Sequence, residues 1–272
     1  MQNSQNLEEM IGTITKTFVI AHEADTDEHL AQALVFNAGR LAWRMRETGI
    51  TTQRKTNISD VVTEADHAAE QFISGALLAL RPNDGVLGEE GASRPAETGR
   101  IWVIDPIDGT YNFASGSDYF CSALALQDNG ELRFGAVHRP TMGYTWFGGK
   151  HIPTTRDSQK LAPLQDTPLS EVSLGSYLHP SYMNSLSATW INVAKHAATV
   201  RMLGAGSIDL ASVADGTLGA WMQHSAPAWD WLPGKALIEG AGGRCETADA
   251  GGVTWHIAGN TRAVAEILDA LH

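Results

Sequence analysis

The sequence predicts a layered α/β (α+β) fold on three observations. Amphipathic helical runs occupy both flanks, short β-like runs crowd the middle, and no repeat or linker divides them. A chain of 272 residues can bury a large core and fits one large domain, or two closely packed halves, better than a string of modules. The expected boundaries are an extension over 1–27 and a single body over 28–272, with an N-terminal part over 28–150 and a C-terminal part over 170–272.

Residues 1–27 are polar and weakly patterned, hence the extension. From Leu30, apolar residues at Leu34, Leu41 and Met45 keep helical spacing until Gly49 stops the run. A second helix follows TEAD, with Ala69, Phe72, Ile73, Ala76, Leu77 and Leu80 ahead of Pro82, and the two helices are expected to cover a sheet. IWVI, FCSALALQ, FGAVHR and YTWFGG are broken by Gly, Asp, Asn and Pro and read as neighbouring strands. Residues 148–172 are polar and Pro-containing and read as surface loops. SIDLASVADGTLGA, WDWLPGKALIEGAGG and VAEILDALH read as helices.

Thirty-one acidic against nineteen basic residues give a formal charge of −12, which argues against nucleic-acid or membrane-surface binding by bulk charge. Two cysteines, Cys121 and Cys245, lack CxxC spacing and read as core residues of a protein in a reducing cytoplasm. The start has no basic region followed by a long apolar run, and no segment approaches the length of a membrane span.

The acids stand out by position. Asp60 and Asp66 in DVVTEAD, Glu89 and Glu90 in GEE, Asp105 and Asp108 in WVIDPIDGTYNF, and Asp230 in AWDW all sit at edges of apolar elements. Carboxylates there are costly to desolvate unless paired, hydrogen-bonded or bound to cations. Basic residues are scarce nearby, Lys55 and Arg201 being the available ones, and no His/Cys set has zinc spacing. An oxygen-only cluster favours Mg²⁺ or Mn²⁺. Pro106 fixes φ between the two aspartates, while Gly109 and Thr110 offer backbone N–H groups and a hydroxyl to an anion such as phosphate. On this reading alone, a metal-assisted phosphatase and a structural turn both remain open.

GEE, WVIDPIDGTYNF and WDWLPGKALIEGAGG together resemble the inositol monophosphatase family, within the wider Mg²⁺-dependent, Li⁺-inhibited phosphatases that include fructose-1,6-bisphosphatases. The likeness runs from about Leu30 to the C-terminus, where IAGNTRAVAEILDAL has the family's Gly-Asn before a closing helix. The resemblance implies an αβαβα sandwich, a homodimer, and hydrolysis of a small phosphate ester, with inositol 1-phosphate as first choice. Two or three Mg²⁺ ions per subunit are implied. Glu89, Asp105, the Ile107 carbonyl and Asp108 would hold the first metals, Asp230 a second site, and Asp66 a third, weaker one. Gly109 and Thr110 would cradle phosphate. Glu89 and Thr110 would orient the attacking water, with Asp108 in the catalytic set, so that phosphate is released without a phosphoenzyme.

The alcohol side departs from the family. Asp108, Gly204, Ala205 and Gln223 are the expected substrate contacts, yet Gln223 stands seven residues before Asp230 where an acid is usual, and Ala205 where a hydroxyl often sits. Histidinol phosphate is the principal rival substrate, with nucleotide 3′-phosphates and fructose 1,6-bisphosphate behind it. A catalytically silent binding protein is the non-enzymatic alternative. Glu90 reads as a supporting or surface acid, Asp60 as a helix cap or a brace for the metal loop, Lys55 as a surface or metal-loop lysine, and Trp221, Trp229 and Trp231 as packing residues. His179 and His224 are ordinary polar residues.

Overall fold

The apolar run Trp102-Val103-Ile104 forms the fully buried middle of a nine-residue strand, and the rest of the chain is layered around it. The computed structural model describes residues 2–49, 52–54 and 61–271, so Lys55 and Asp60 lie outside the described residues. The helices are α1 Gln2–His22, α2 Asp27–Thr48, α3 Glu64–Leu80, α4 Thr110–Ala114, α5 Met183–Ala194, α6 Gly206–Ala214, α7 Ala228–Gly240 and α8 Thr261–Leu271. Thr52–Arg54 (β1) and Val61–Thr63 (β2) pair as a small ribbon.

The large sheet comprises β3 Gly85–Gly88, β4 Ser93–Arg94, β5 Arg100–Asp108, β6 Cys121–Asp128, β7 Glu131–Arg139, β8 Tyr144–Gly149, β9 Ile152–Arg156 and β10 Gln159–Lys160, ordered β10-β9-β8-β7-β6-β5-β3-β4. Only β3 and β5 run parallel in it. The second sheet, ordered β12-β11-β13-β15-β14, contains β11 Ser173–Tyr177, β12 Thr199–Arg201, β13 Ala220–His224, β14 Arg244–Ala250 and β15 Val253–Gly259.

Helices α2 and α3 cover one face of the large sheet with α1 packed on α3, α6 and α7 lie between the two sheets, and α5 with α8 cover the outer face of the second sheet. This is the expected αβαβα sandwich. Each layer boundary buries its own apolar set: Leu30, Leu34, Phe72 and Trp102 in the first, Ile208, Trp221 and Leu237 in the second, Leu186, Trp255 and Ile267 in the third. The middle helix comes close to its sheet because small residues let it. A side chain on Gly135 would overlap the backbone of Pro233, and one on Gly240 would meet the backbone of Ile152.

Helix α2 starts at Thr26, whose hydroxyl accepts from the His29 amide, and stops at Gly49 with φ +95°. Helix α3 opens with a reciprocal cap between Thr63 and Asp66.

Two expectations need correction. Residues 1–27 are not an extension outside the folded body, because α1 packs on α3 with Ile11 and Phe18 in the first core, Phe18 edge-on to Phe72 at 5.1 Å. Residues 148–172 are not all loop either, because β9 and β10 continue the large sheet, and the buried Thr154 hydroxyl donates to the Leu237 carbonyl at 2.6 Å.

Candidate active site

Strand β5 ends in its acids through an irregular ladder. Asp105 pairs with Ala123 and Asp108 with Cys121, so one extra residue is accommodated around Pro106 and Ile107. Proline has no N–H to lose from the ladder, and such a bulge re-aims the flanking side chains. Gly109 then turns the chain at φ +88°, and a Cβ there would lie 3.0 Å from both the Ala205 methyl and the Tyr119 carbonyl. Thr110 begins α4 at once.

A cavity of about 470 Å³ opens at this point, where the large sheet meets the N-terminal ends of α6 and α7. Glu89, Asp105, Ile107, Asp108, Gly109, Thr110, Gly204, Ala205, Gln223 and Asp230 all line it. Ten of the expected site residues are therefore gathered from five separate parts of the chain.

Asp66 is the exception. Fully buried beneath the cavity, it accepts from the Thr63 amide at 2.8 Å and the Thr63 hydroxyl at 2.5 Å, while its other oxygen lies 3.0 Å from the Thr110 hydroxyl. The Thr110 hydroxyl also lies 2.9 Å from the Ile107 carbonyl, so its proton points down into the protein and its lone pairs are left for the cavity. Burial pushes the Asp66 carboxyl up to about 6.

The remaining acids press on one another. Asp105 is 1 % exposed, and its Oδ1 has no hydrogen-bond partner. Burial first, then the Glu89, Asp108 and Asp230 carboxylates, hold its carboxyl well above the usual range. Asp230, in the first turn of α7, is raised by burial and by Asp108 and Glu89. Asp108 is also raised by burial, against the Ser207 amide, which donates to its Oδ2 at 2.5 Å from the start of α6. Among the described residues no group of three or more His, Cys, Asp or Glu side chains already has metal-holding geometry. Like charges in a low dielectric spread apart unless a cation or a proton draws them in.

Sequence reading missed the supports. Glu70 accepts from the Glu90 amide at 2.9 Å and the Ala92 amide at 2.8 Å, fixing the loop that carries Glu89, and Gly88 is small because a side chain there would overlap that carboxylate. The Glu90 side chain is buried beside His67 rather than at the surface. Arg46 of α2 donates to the Ser117 carbonyl at 2.6 Å and lies over the Phe113 and Phe120 rings, bracing α4. The Tyr119 hydroxyl donates to Asp209 at 2.6 Å, and burial pushes that carboxyl up to about 7. Glu70, three residues into an apolar helix face after Asp66 and His67, was the legible signal among these. Arg201 serves none of the acids; it bonds the Thr199 hydroxyl. Trp221 and Trp231 stack at 5.8 Å within the core, as packing residues would.

A five-layer sandwich with an acid-walled cavity at its sheet end places the chain among the layered phosphatases. A model of the inositol monophosphatase family matches residues 23–270, from the end of α1 almost to the end of α8, and the chain belongs to that family. It is 27 % identical over 236 residues to the inositol-1-monophosphatase of Bacillus subtilis, covering 82 % of this chain and 85 % of that one. It is 30 % identical over 198 residues to the histidinol-phosphatase of Mycobacterium tuberculosis, 69 % and 74 % of the two chains. The solved structure of Staphylococcal IMPase-II superposes with a TM-score of 0.77 at 28 % identity, over 90 % of this chain and 92 % of that one. The protein is accordingly a phosphatase, and no helix among the described residues is long and apolar enough to cross a membrane.

Proposed function

We propose that the protein is a Mg²⁺-dependent phosphomonoesterase acting on the phosphate ester of a small alcohol in the cytoplasm, as a homodimer. The observation that carries this is Asp105: a buried carboxylate with one oxygen unpartnered, facing Glu89, Asp108 and Asp230 on the acid side of the cavity, where the side chains offer only oxygen. Such a set suits a hard divalent cation, Mg²⁺ before Mn²⁺. Glu89, Asp105, Asp108, Asp230 and the Ile107 carbonyl would hold two ions. Asp66, set below the cavity, acts on Thr110 in this reading, and a third ion would have to draw it in. Bound cations would acidify a water and neutralise charge developing on the phosphoryl oxygens.

The chain's own contributions follow from geometry. Gly109 and Thr110 present backbone amides to the phosphate at a turn that only glycine tolerates. Thr110, its proton committed below, accepts from the attacking water, and Glu89 takes the proton that water loses. The water adds to phosphorus opposite the alcohol, the P–O bond to the alcohol breaks, the departing alkoxide takes a proton from solvent while the one on Glu89 returns to solvent, and inorganic phosphate leaves without a bond to the protein.

The relatives' names supply inositol 1-phosphate as reference substrate and histidinol phosphate as rival. Gln223 in place of an acid disfavours the cationic rival. Phosphate release from inositol 1-phosphate in Mg²⁺, abolished by chelator and by millimolar Li⁺ and reduced by Ca²⁺, tests the reading; undiminished turnover in chelator refutes it. Light scattering at working concentration tests the dimer.

A further inference from the structure

The cavity has two unlike halves. Away from the acids its wall is Tyr111, Tyr177, Pro180, Met202, Leu203 and Gln223, and none of these is ionised. Other polar groups bordering it are already engaged: the Asn112 amide donates to the Tyr119 carbonyl at 3.0 Å and the Leu203 carbonyl at 2.7 Å, and Asp209 accepts from Tyr119. A ring of free hydroxyls would find one amide and two phenols to bond, against a wall otherwise of carbon.

Tyr177 and Gln223 are register partners on the parallel strands β11 and β13, so ring and amide stand side by side on one face. Tyr111 enters from the opposite half of the molecule, on α4, and is 56 % exposed at the mouth. Tyr177 lines the same opening from the second sheet, so two aromatic side chains from separate layers border one cavity. Two tyrosines brought together from separate layers, with a polarisable thioether beside them, form a wall suited to a flat π-face.

Resting on the phosphomonoesterase reading, we propose that the alcohol half of the substrate carries a flat, uncharged aromatic ring, held against Tyr177 and Tyr111 with one edge hydrogen-bonded by Gln223. Phosphate would sit at Gly109 and Thr110, and the ring would lie at the mouth.

The test is kcat/KM for 2-phenylethyl phosphate, its saturated counterpart 2-cyclohexylethyl phosphate, adenosine 2′-monophosphate and inositol 1-phosphate, with wild type, Tyr177→Ala and Tyr177→Phe. Both aromatic esters should exceed inositol 1-phosphate, and phenyl should exceed cyclohexyl by about tenfold, the scale of one stacking contact. Tyr177→Ala should collapse the phenyl-to-cyclohexyl ratio about tenfold while Tyr177→Phe keeps it. Equal rates on the phenyl and cyclohexyl esters, preference for inositol 1-phosphate, or a ratio unmoved by Tyr177→Ala overturns the proposal. If no ester releases phosphate, the phosphomonoesterase reading falls. Calorimetric titration with 2-phenylethyl phosphate then decides the pocket by itself: binding weakened about tenfold in Tyr177→Ala upholds it, and no binding overturns it.

Discussion

Asp105→Asn should make the metal-free protein more stable while removing its response to Mg²⁺. The carboxyl is 1 % exposed, one oxygen lacks a partner, and Glu89, Asp108 and Asp230 all face it. Its folded-state pKa is raised above the unfolded 3.8, so its contribution to stability is intact below that pH and is lost as pH rises. An amide mimics the protonated acid and can donate to Asp230 as the acid would. Removing an uncompensated buried charge is worth about 2 kcal/mol, taken within the ~1–3 kcal/mol typical of an unsatisfied buried polar group. For a chain of this size that is roughly 4–8 °C in Tm. The assay is a thermal melt at pH 7.5 in chelator and in 10-fold steps of Mg²⁺. Wild type should melt lower in chelator and climb with Mg²⁺, while the variant should start higher and stay flat. A variant that melts below wild type in chelator would refute the electrostatic account of the site, because Asp105 would then be stabilised by contacts within the protein.

Other outcomes follow from the same geometry. Burial holds the His138 imidazole at about 4 against an ordinary 6.5, so the unfolded chain binds the extra proton between those values and stability falls as pH drops through that window, by roughly 3 kcal/mol in all; His138→Asn should flatten urea-melt stability between pH 7 and 5. Gly88→Ala drives a methyl into the Glu70 carboxylate that pins the Glu89 loop, so chemical denaturation should show a loss of about 2–3 kcal/mol and calorimetry a weaker Mg²⁺ titration. If Asp108 holds a cation as proposed, Asp108→Asn should lower kcat/KM by roughly 10³-fold or more for every ester tested, and a loss under tenfold would remove Asp108 from the catalytic set.

The acid turn by itself also fits a structural turn; it was legible in combination with GEE and WDW, and ten of the residues which that resemblance pointed to line one cavity. Helices α2 and α3 were legible through apolar periodicity and the stops at Gly49 and Pro82. Helix α1 was not, although Leu7, Ile11, Ile14 and Phe18 keep helical spacing, because interspersed threonines and charges hide a narrow stripe. Strands β11 to β13 have five residues or fewer, and β14 and β15 carry little clean alternation of buried and exposed residues, so none of them registered; with them went Tyr177. Asp66 was singled out in the sequence, but its pairing with Thr110 was not. Its spacing says that it caps a helix, while its bond to Thr110 joins residues 44 apart and leaves no trace in local sequence.

The Asp108 carboxylate touches the Ser207 amide across 99 residues of chain, and the Asn112 amide reaches Leu203 across 91. Contacts that close such long loops are entropically late, and they form after the local hairpins β5-β6-β7-β8 have condensed. During synthesis, therefore, the emerging N-terminal half carries Glu89, Asp105 and Asp108 well before α6 and Asp230 exist to complete the cavity. A nascent or truncated chain that ends before α6 carries only part of the acid cluster and of the cavity wall, so the complete site is a property of the finished molecule.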